Sequence, residues 1–379
     1  MRVVLLGAGL QAQAACYDLV QQEDLTEITV ADADLGAAQE LAKRWDDPRI
    51  KPVQLDASDY EAAVEVLTGA KAALSAVPYR FNETLAKAAV AAGCSFCDLG
   101  GNNTVVNAEL ALHEQAKAAG VTIVPDCGLA PGMVAVLAAD AVQHLDRCDT
   151  LEIRVGGLPT ERGGLLDYSL LFNIQGLINE YVEDAVVLEG GEPKVVPSLE
   201  DFETLEWPEP FGTLEAFTTS GGTSTLPETY RGKIKRLNYK TMRYPGHGKV
   251  FQAMHKLGLL TWDEVDVDGV RVSPRALFSK VAEPVLDRGL PDVALVRLTA
   301  SGERDGKPLT RTYQMIEYGE HGLTAMMRAT AFPATIVMLM LARGQIEAKG
   351  ALPQERCVDP QAFLRELSER NLKVEITES

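Results

Sequence analysis

Residues 2–15 read RVVLLGAGLQAQAA, and they place a short apolar run directly before two glycines and an alanine-rich segment. The spacing Gly7-x-Gly9-x-x-Ala12 between a strand and a helix is typical of a turn that binds a dinucleotide. Gly7 allows the tight turn, Gly9 lets a diphosphate approach the backbone, and Ala12 permits close helix–strand packing. The N–H groups at the helix start can then bind the anion. This stretch therefore predicts a dinucleotide-binding fold.

The same alternation of apolar runs and amphipathic segments continues through the first third of the chain. EITVAD (27–32), KAALSAVP (71–78) and SFCDLG (95–100) read as buried strands, and alanine-rich helical segments separate them. This order is typical of βαβ units and a parallel sheet. We therefore predict an α/β fold with a Rossmann-type, doubly wound parallel sheet.

After residue 145 the pattern changes to strands joined by hairpins and loops. LEIRVGGLP (151–159) and RTYQMIEYG (311–319) are examples, and helical patterns return near the C-terminus. Such a composition is typical of an antiparallel sheet. We predict a dinucleotide-binding domain over 1–130, completed by C-terminal helices over 330–379, and an α+β substrate-binding and oligomerisation domain over 131–329.

Asp32 indicates which dinucleotide is bound. It ends the second predicted strand, 20 residues after Ala12, where its carboxylate can accept hydrogen bonds from ribose hydroxyls. The 2′-phosphate that distinguishes NADP from NAD would be repelled by this carboxylate, by roughly 4 kcal/mol at a distance of about 4 Å. Because ADLG (33–36) adds Asp34 and no arginine, the sequence favours NAD over NADP. FAD is not favoured, since nothing after the glycine motif indicates a second, longer cofactor site.

Other strand ends are expected to line the same site, because ligands of such sheets bind beyond the carboxyl ends of the strands. The expected cofactor-binding residues are Gly7, Gly9, Leu10, Gln11, Asp32, Asp56, Ala57, Ala76, Val77, Pro78 and Gly100. Asp126, in DCGLAPG (126–132), is a candidate base at this edge. Asp126 and Asp98 are equally well interpreted as acids that only stabilise turns.

Charge and composition exclude several classes of partner. The formal net charge is −18, and such an acidic protein repels nucleic acid. The apolar stretch 329–342 contains Pro333 and is shorter than the roughly 20 residues of a membrane span, so we expect a buried helix and a cytoplasmic protein. The scattered cysteines read as small buried side chains, and no metal site is expected.

The acidic chain nevertheless contains one strongly basic segment. From Arg231 to Trp262 there are eight Lys or Arg residues and no Asp or Glu, and the segment includes NYKTMRYPGHG (238–248). This segregation predicts a place that receives negative charge.

Several motifs together resemble one family. DCGLAPGM (126–133), GLINEY (176–181), TSGGTSTLPET (219–229), KTMRYPGH (240–247) and GALPQE (350–355) occur in this order. The chain resembles the saccharopine dehydrogenase superfamily, and most closely its lysine 6-dehydrogenase branch. The resemblance implies an NAD-dependent enzyme that oxidises the ε-amino carbon of L-lysine to the semialdehyde and releases ammonia. It also implies a homodimer or higher homo-oligomer. GLPTERGGLLDY (157–168) and the doubled glycine at 221–222 depart from the family pattern, so the identity of the amino acid is open.

An amino-acid substrate needs one group for its carboxylate and others for its amine. Arg243 is the candidate for the carboxylate, because a guanidinium pairs with it in two hydrogen bonds, and Lys240 or Tyr244 could assist. His247 is the first candidate base, since its ordinary pKa lies near neutrality, although a histidine in such a turn is as often a loop hydrogen-bonder. The remaining candidates are Asp126 and Lys240 for catalysis, and Glu180, Asp167 and Thr219 for substrate binding.

Two other functions stay open at this stage. A dehydrogenase of the saccharopine or carboxynorspermidine type would act on a secondary amine and would need room for a larger partner. A protein that binds NAD only to sense it would need no catalytic residues.

Overall fold

The computed structural model describes all 379 residues, and the chain forms two compact units. The first unit comprises Met1–Asp140 and Met327–Lys373, and the second comprises Ala141–Met326 and Val374–Ser379. The first boundary therefore lies later than the predicted one at residue 130. Val374–Ser379 had been predicted for the first domain, but Glu375–Glu378 forms an edge strand in the second unit because it pairs with residues 311–314.

The first part of the chain alternates strands and helices. These elements are β1 Arg2–Leu6, α1 Leu10–Val20, β2 Glu27–Asp32, α2 Leu35–Trp45, β3 Ile50–Gln54, α3 Tyr60–Leu67, β4 Ala72–Ser75, α4 Asn82–Ala92, β5 Ser95–Asp98, α5 Asn103–Leu110, α6 His113–Ala119, β6 Thr122–Val124 and α7 Met133–Gln143.

The middle of the chain is richer in strands. Its elements are β7 Arg147–Pro159, α8 Ile174–Val182, β8 Ala185–Glu189, β9 Glu192–Val196, β10 Glu203–Trp207, β11 Gly212–Thr218, α9 Leu226–Thr229, β12 Arg236–Arg243, α10 His247–Lys256, β13 Val265–Val267, β14 Val270–Val272, α11 Pro274–Leu286, β15 Asp292–Arg304 and β16 Lys307–Tyr318. The C-terminal elements are α12 Ala325–Ala342, β17 Gly350–Ala351, α13 Gln354–Cys357, α14 Pro360–Glu369 and β18 Glu375–Glu378.

The first unit is built on a seven-stranded sheet of order β17-β6-β5-β4-β1-β2-β3. All its strand pairs are parallel. From β1 the chain adds β2 and β3 on one side of β1, and then places β4, β5 and β6 on its other side. The strand order therefore reverses between β1 and β4. This confirms the Rossmann-type fold, in which ligands bind at such a reversal. The alanine-rich helices fit closely here, and Ala12, Ala14, Ala15, Ala86 and Ala89 are fully buried.

Helix α12 is the apolar stretch that the sequence placed in a core. It runs from Ala325 to Ala342, is long and apolar enough to cross a membrane by length and composition, and has 83% of its 18-residue window buried inside the protein. Because it is buried to this extent, α12 is a helix of the protein core, as the sequence predicted.

The second unit contains a nine-stranded sheet whose main order is β10-β11-β12-β7-β15-β16-β18; β8 also pairs with β12, and β9 pairs with β8. The sheet is antiparallel as predicted except for one pair, since β12 runs parallel to β7. Alternate residues of β12 face opposite sides of the sheet. Tyr239, Thr241 and Arg243 therefore share one face, and Lys240 and Met242 share the other.

Candidate functional site

The glycine turn of the first unit has the geometry that a dinucleotide requires. Gly7 has a φ of +104°, and a Cβ there would lie 3.0 Å from the carbonyl oxygen of Ala76 and 3.3 Å from Val77. Only glycine accepts both the left-handed backbone and this close approach. The turn is therefore packed tightly against the residues that follow β4.

The start of helix α1 is open. A Cβ on Gly9 would meet no atom within 4 Å, no side chain caps the helix, and its first turn contains no acidic residue. The first N–H groups of a helix have no partner within the helix, so these donors are available to an anion. These features fit a bound diphosphate.

Asp32 is held beside this turn by backbone hydrogen bonds. One carboxylate oxygen accepts from the N–H of Ala8 at 2.7 Å, and the other accepts from the N–H of Asp34 at 2.9 Å. Asp34 itself caps helix α2 by accepting from the N–H of Gly36 at 2.8 Å. The negative charge of Asp32 is thus fixed where the second strand ends.

The other predicted cofactor residues follow strand ends that the sheet aligns. Leu6 of β1 is in register with Ser75 of β4, and Ser75 with Asp98 of β5. The residues after these ends include Ala76, Val77, Pro78 and Gly100, while Asp56 and Ala57 follow β3. Hydrogen bonds from Ser58 lower the pKa of Asp56. Parallel strands end at one edge of a sheet, so these residues lie along the same edge as the glycine turn.

Asp98 and Asp126 join two loops at this edge. One Asp98 oxygen accepts from the N–H of Gly100 at 2.6 Å and from the N–H of Asp126 at 3.3 Å. Burial raises the pKa of Asp98, and burial together with Asp98 raises the pKa of Glu109 to about 11. A Cβ on Gly100 would lie 1.8 Å from Asp126 Oδ1. Asp98 is therefore an acid that stabilises the turn, and Gly100 makes room for the Asp126 carboxylate.

The basic segment of the second unit is mostly neutralised by carboxylates from elsewhere in the chain. Five of its eight cations make ion pairs, namely Arg231 with Glu192, Lys235 with Asp149, Arg236 with Glu152, Lys240 with Asp201 and Glu203, and Lys256 with Glu200. Lys233 and Lys249 are exposed. Arg243 alone among the eight is buried and has no ion pair.

Arg243 is held among aromatic rings. Its side chain is 3% exposed, its Nε donates to the Tyr181 hydroxyl at 3.0 Å, and its Nη1 donates to the carbonyl of Met242 at 2.9 Å. The guanidinium carbon lies 5.3 Å from the centre of the Tyr168 ring and 5.9 Å from that of Tyr181. A buried cation without a counter-ion is costly unless a ligand supplies the negative charge.

Two acidic residues near Arg243 make no ion pair with it. Glu215 is the cross-strand partner of Arg243, but its oxygens accept from the N–H groups of Gly246 at 2.9 Å and Gly248 at 2.6 Å, at the start of α10. Burial raises the pKa of Glu180 to about 7, although the nearby Arg243 opposes the shift. Glu180 therefore changes its charge near neutral pH.

His247 belongs to the same cluster through Tyr181. Its Nε2 lies 2.9 Å from the Tyr181 hydroxyl, its ring stacks on Phe251 with centres 4.8 Å apart, and it meets the edge of Tyr168 at 4.9 Å. Burial and the charge of Arg243 hold the pKa of His247 well below its usual range. His247 is therefore a neutral imidazole at physiological pH.

The structure separates Lys240 from the Arg243 cluster. Lys240 lies on the opposite face of β12 and pairs with Asp201 at 2.8 Å and Glu203 at 3.0 Å. This corrects the expectation that it assists Arg243 or takes part in catalysis, because residues three apart on a strand point to opposite faces.

Three other predicted substrate residues have partners of their own. The Tyr244 hydroxyl donates to the carbonyl of Pro159 at 3.2 Å, and Asp167 pairs with Arg162 at 3.0 Å. Neither side chain makes a hydrogen bond or an ion pair with the Arg243 guanidinium. Thr219 does share the Arg243 face, since its hydroxyl lies 2.7 Å from that of Thr241.

The sequence did not single out Tyr168, Tyr181 or Tyr239 as site residues. Tyr181 ends the motif GLINEY, so its position beside Glu180 was the available signal. Burial raises the pKa of Tyr168 to about 12. The rings of Tyr168 and Tyr181 lie against the guanidinium of Arg243, and Tyr239 is buried on the same face of β12.

The glycine turn, the strand reversal and the fixed Asp32 define the first unit as an NAD(P)-binding domain. A model described as the saccharopine dehydrogenase NADP binding domain matches residues 3–124, and one described as the saccharopine dehydrogenase C-terminal domain matches residues 128–372. The chain belongs to the saccharopine dehydrogenase family, whose members are dehydrogenases acting on amino-acid-derived substrates.

Similar proteins cover nearly the whole chain. Carboxyaminopropylagmatine dehydrogenase of Synechocystis sp. is 24% identical over 98% of this chain and 96% of its own length. Mitochondrial alpha-aminoadipic semialdehyde synthase of Bos taurus is 23% identical over 93% of this chain, which spans only 45% of that larger protein. The structure of apo saccharopine dehydrogenase (L-Glu forming) from Saccharomyces cerevisiae has a TM-score of 0.82, with 18% identity over 100% of this chain and 99% of its own. That similarity shows the shared fold.

Proposed function

We propose that the protein is an NAD-dependent dehydrogenase that oxidises the ε-amino carbon of L-lysine or a close amino acid. The product is the semialdehyde, and ammonia is released. The observation that carries the proposal is Arg243, a buried guanidinium without an ion pair in a basic segment where five of the other seven cations are paired with carboxylates.

Arg243 supports a substrate with one carboxylate at this site. A planar guanidinium binds a carboxylate through two parallel hydrogen bonds, and the surrounding tyrosines strengthen that pairing by keeping the local dielectric low. An α-amino acid supplies one such carboxylate. A substrate with three carboxylates would need further cations, but Lys240, the nearest buried candidate along the strand, is already paired with Asp201 and Glu203.

Glu180 supports a role at the amine. A hydride cannot leave the carbon beside a protonated nitrogen, and deprotonating lysine at pH 7 costs about 4.6 kcal/mol in water. A carboxylate with a pKa of about 7 binds the ammonium and accepts one of its protons. The neutral amine then loses the hydride as an iminium ion forms, and water adds to that ion before ammonia leaves. When bound, the nicotinamide accepts the hydride.

Asp32 supports NAD as the cofactor. Its carboxylate is fixed beside the glycine turn by Ala8 and Asp34, and Asp34 adds a second negative charge. A 2′-phosphate at this place would meet both charges, whereas ribose hydroxyls can donate to Asp32.

Oxidation of a secondary amine is the second candidate. It is favoured by the similarity to carboxyaminopropylagmatine dehydrogenase, which extends over nearly the full length of both chains. One carboxylate bound by Arg243 and one amine beside Glu180 suit such a substrate as well. The two candidates differ in what the reacting nitrogen carries, hydrogen or a second carbon.

A substrate panel separates these candidates. The purified protein with NAD is given L-lysine, L-ornithine, saccharopine or carboxynorspermidine, and NADH is followed by absorbance. Turnover of L-lysine with release of ammonia supports the proposal. Turnover of a secondary amine alone moves the function to the second candidate. Binding of NAD without any turnover contradicts both.

A further inference from the structure

We propose that Tyr181 and His247 form a hydrogen-bonded chain that positions the guanidinium of Arg243, and that His247 does not act as the base. The inference rests on the proposed function only for its kinetic test. The three side chains are buried in the second unit.

The chain has two links with normal hydrogen-bond lengths. Arg243 Nε donates to the Tyr181 hydroxyl oxygen at 3.0 Å, and that oxygen lies 2.9 Å from His247 Nε2. All three side chains are buried, with exposures of 3% for Arg243, 0% for Tyr181 and 1% for His247. Buried polar groups of this kind are costly to leave without partners, so the chain fixes all three side chains.

Proton counting assigns the direction of the chain. The guanidinium can only donate, so the Tyr181 oxygen accepts from Arg243. The single Tyr181 proton can then be donated only to His247 Nε2, which must be the unprotonated nitrogen. The His247 proton is therefore on Nδ1, on the side of the Leu166 carbonyl, with which Nδ1 makes at most a weak hydrogen bond.

This arrangement removes His247 from proton transfer with a substrate. Its only basic lone pair accepts from Tyr181, and its ring is enclosed by Phe251 on one face and by Tyr168 at an edge. The neighbouring charge of Arg243 and the start of helix α10 both oppose a positive charge on the ring. His247 instead keeps the Tyr181 lone pair turned toward Arg243.

The first measurement does not depend on activity. The protein labelled with ¹⁵N-histidine is followed by long-range ¹H–¹⁵N NMR between pH 5.5 and 9. His247→Gln identifies the resonance of His247. We expect a neutral ring with the proton on Nδ1 throughout, and a shift of Nε2 in Tyr181→Phe. An imidazolium at pH 6, or a proton on Nε2, overturns the assignment.

The second measurement uses L-lysine turnover. Tyr181→Phe and His247→Leu should each raise KM for L-lysine about 10- to 100-fold, the effect of loosening a hydrogen bond to a charged group. The double variant should be no worse than either single one, because both changes break the same chain. His247→Gln, which keeps an acceptor, should recover most of the affinity.

The same variants distinguish a positioning residue from a base. If His247 positions Arg243, the fall of kcat/KM below about pH 7 persists in His247→Leu, and turnover of L-lysinamide, which lacks the carboxylate, is nearly unchanged. Loss of the acidic limb, or a fall in kcat at unchanged KM, overturns the proposal. If the wild-type protein turns over no amine, the proposed function fails, while the NMR result still decides the inference.

Discussion

Replacing Glu180 by Gln tests whether this carboxylate takes the proton from the substrate amine. In the wild-type protein, kcat/KM for L-lysine should rise tenfold per pH unit up to the pKa of Glu180, about 7. It should then stay level to about pH 10, where the amine itself loses its proton with an ordinary pKa of about 10.4. Below neutrality Glu180 is protonated and cannot hold the ammonium.

The Gln variant cannot accept the proton, so only the free amine can react. At pH 8 that form is about 0.4% of the lysine, and kcat/KM should therefore fall about 200-fold. At pH 10 the loss should shrink to a few-fold, because about a quarter of the lysine is then neutral. The level region should disappear, and the profile should rise steadily toward pH 10.4.

The assay is initial NADH formation between pH 5.5 and 10.5, at lysine concentrations far below KM. Glu183→Gln is the matched control, because Glu183 is exposed at the end of the same helix and should keep the wild-type profile. A Glu180→Gln enzyme that keeps both its rate at pH 8 and the level region would refute the role of Glu180.

Three further predictions concern the cofactor, the edge of the first sheet and the basic segment. Asp32→Asn should improve NADP binding at least about tenfold, since one charge that repels the 2′-phosphate is removed, and it should weaken NAD binding. Calorimetric Kd values for both nucleotides check this. A wild-type preference for NADP would contradict it. Gly100→Ala should lower the free energy of unfolding by about 2–4 kcal/mol, because its Cβ would lie 1.8 Å from Asp126 Oδ1. In urea denaturation, Gly93→Ala, with no atom within 4 Å of its Cβ, should cost only about 1 kcal/mol. Lys240→Met should lower the free energy of unfolding by about 1–3 kcal/mol and leave KM for L-lysine unchanged. A large rise in KM would show that Lys240 helps to bind the substrate.

The sequence predicted the first unit well because short-range rules determine it. Gly7 and Gly9 follow a buried strand at the required spacing, and Asp32 ends the next strand. The turn, the parallel sheet and the sheet edge at which the cofactor is expected therefore follow from the local pattern. The proximity of the buried acids Asp98 and Glu109 was not predictable, because the burial that raises both pKa values comes from tertiary packing that no local pattern reveals.

The second unit was harder to predict because its buried strand β12 carries charges. The sequence placed Lys240 beside Arg243 as a possible second group for the substrate carboxylate, although the structure buries the two side chains on opposite faces of β12. The negative charges that pair with Lys240 come from Asp201 and Glu203, far away in sequence. Period-two alternation would have placed Lys240 and Arg243 on opposite faces once β12 was recognised as a strand.

The identity of the candidate base also depended on tertiary contacts. An ordinary histidine titrates near neutrality and an ordinary glutamate well below it, so the sequence favoured His247 over Glu180. Burial reverses this order, since it lowers the pKa of His247 and raises that of Glu180 to about 7.

The most direct test of the central claim compares L-lysine with L-lysinamide in wild-type protein and in Arg243→Met. In the wild type, kcat/KM should favour L-lysine, and the substitution should lower it about 30-fold or more, because removing one partner of a buried charge pair costs roughly 2–5 kcal/mol. Turnover of L-lysinamide should change little, since it has no carboxylate for Arg243 to bind. Equal losses for the two substrates would show that Arg243 supports the fold and does not receive the carboxylate.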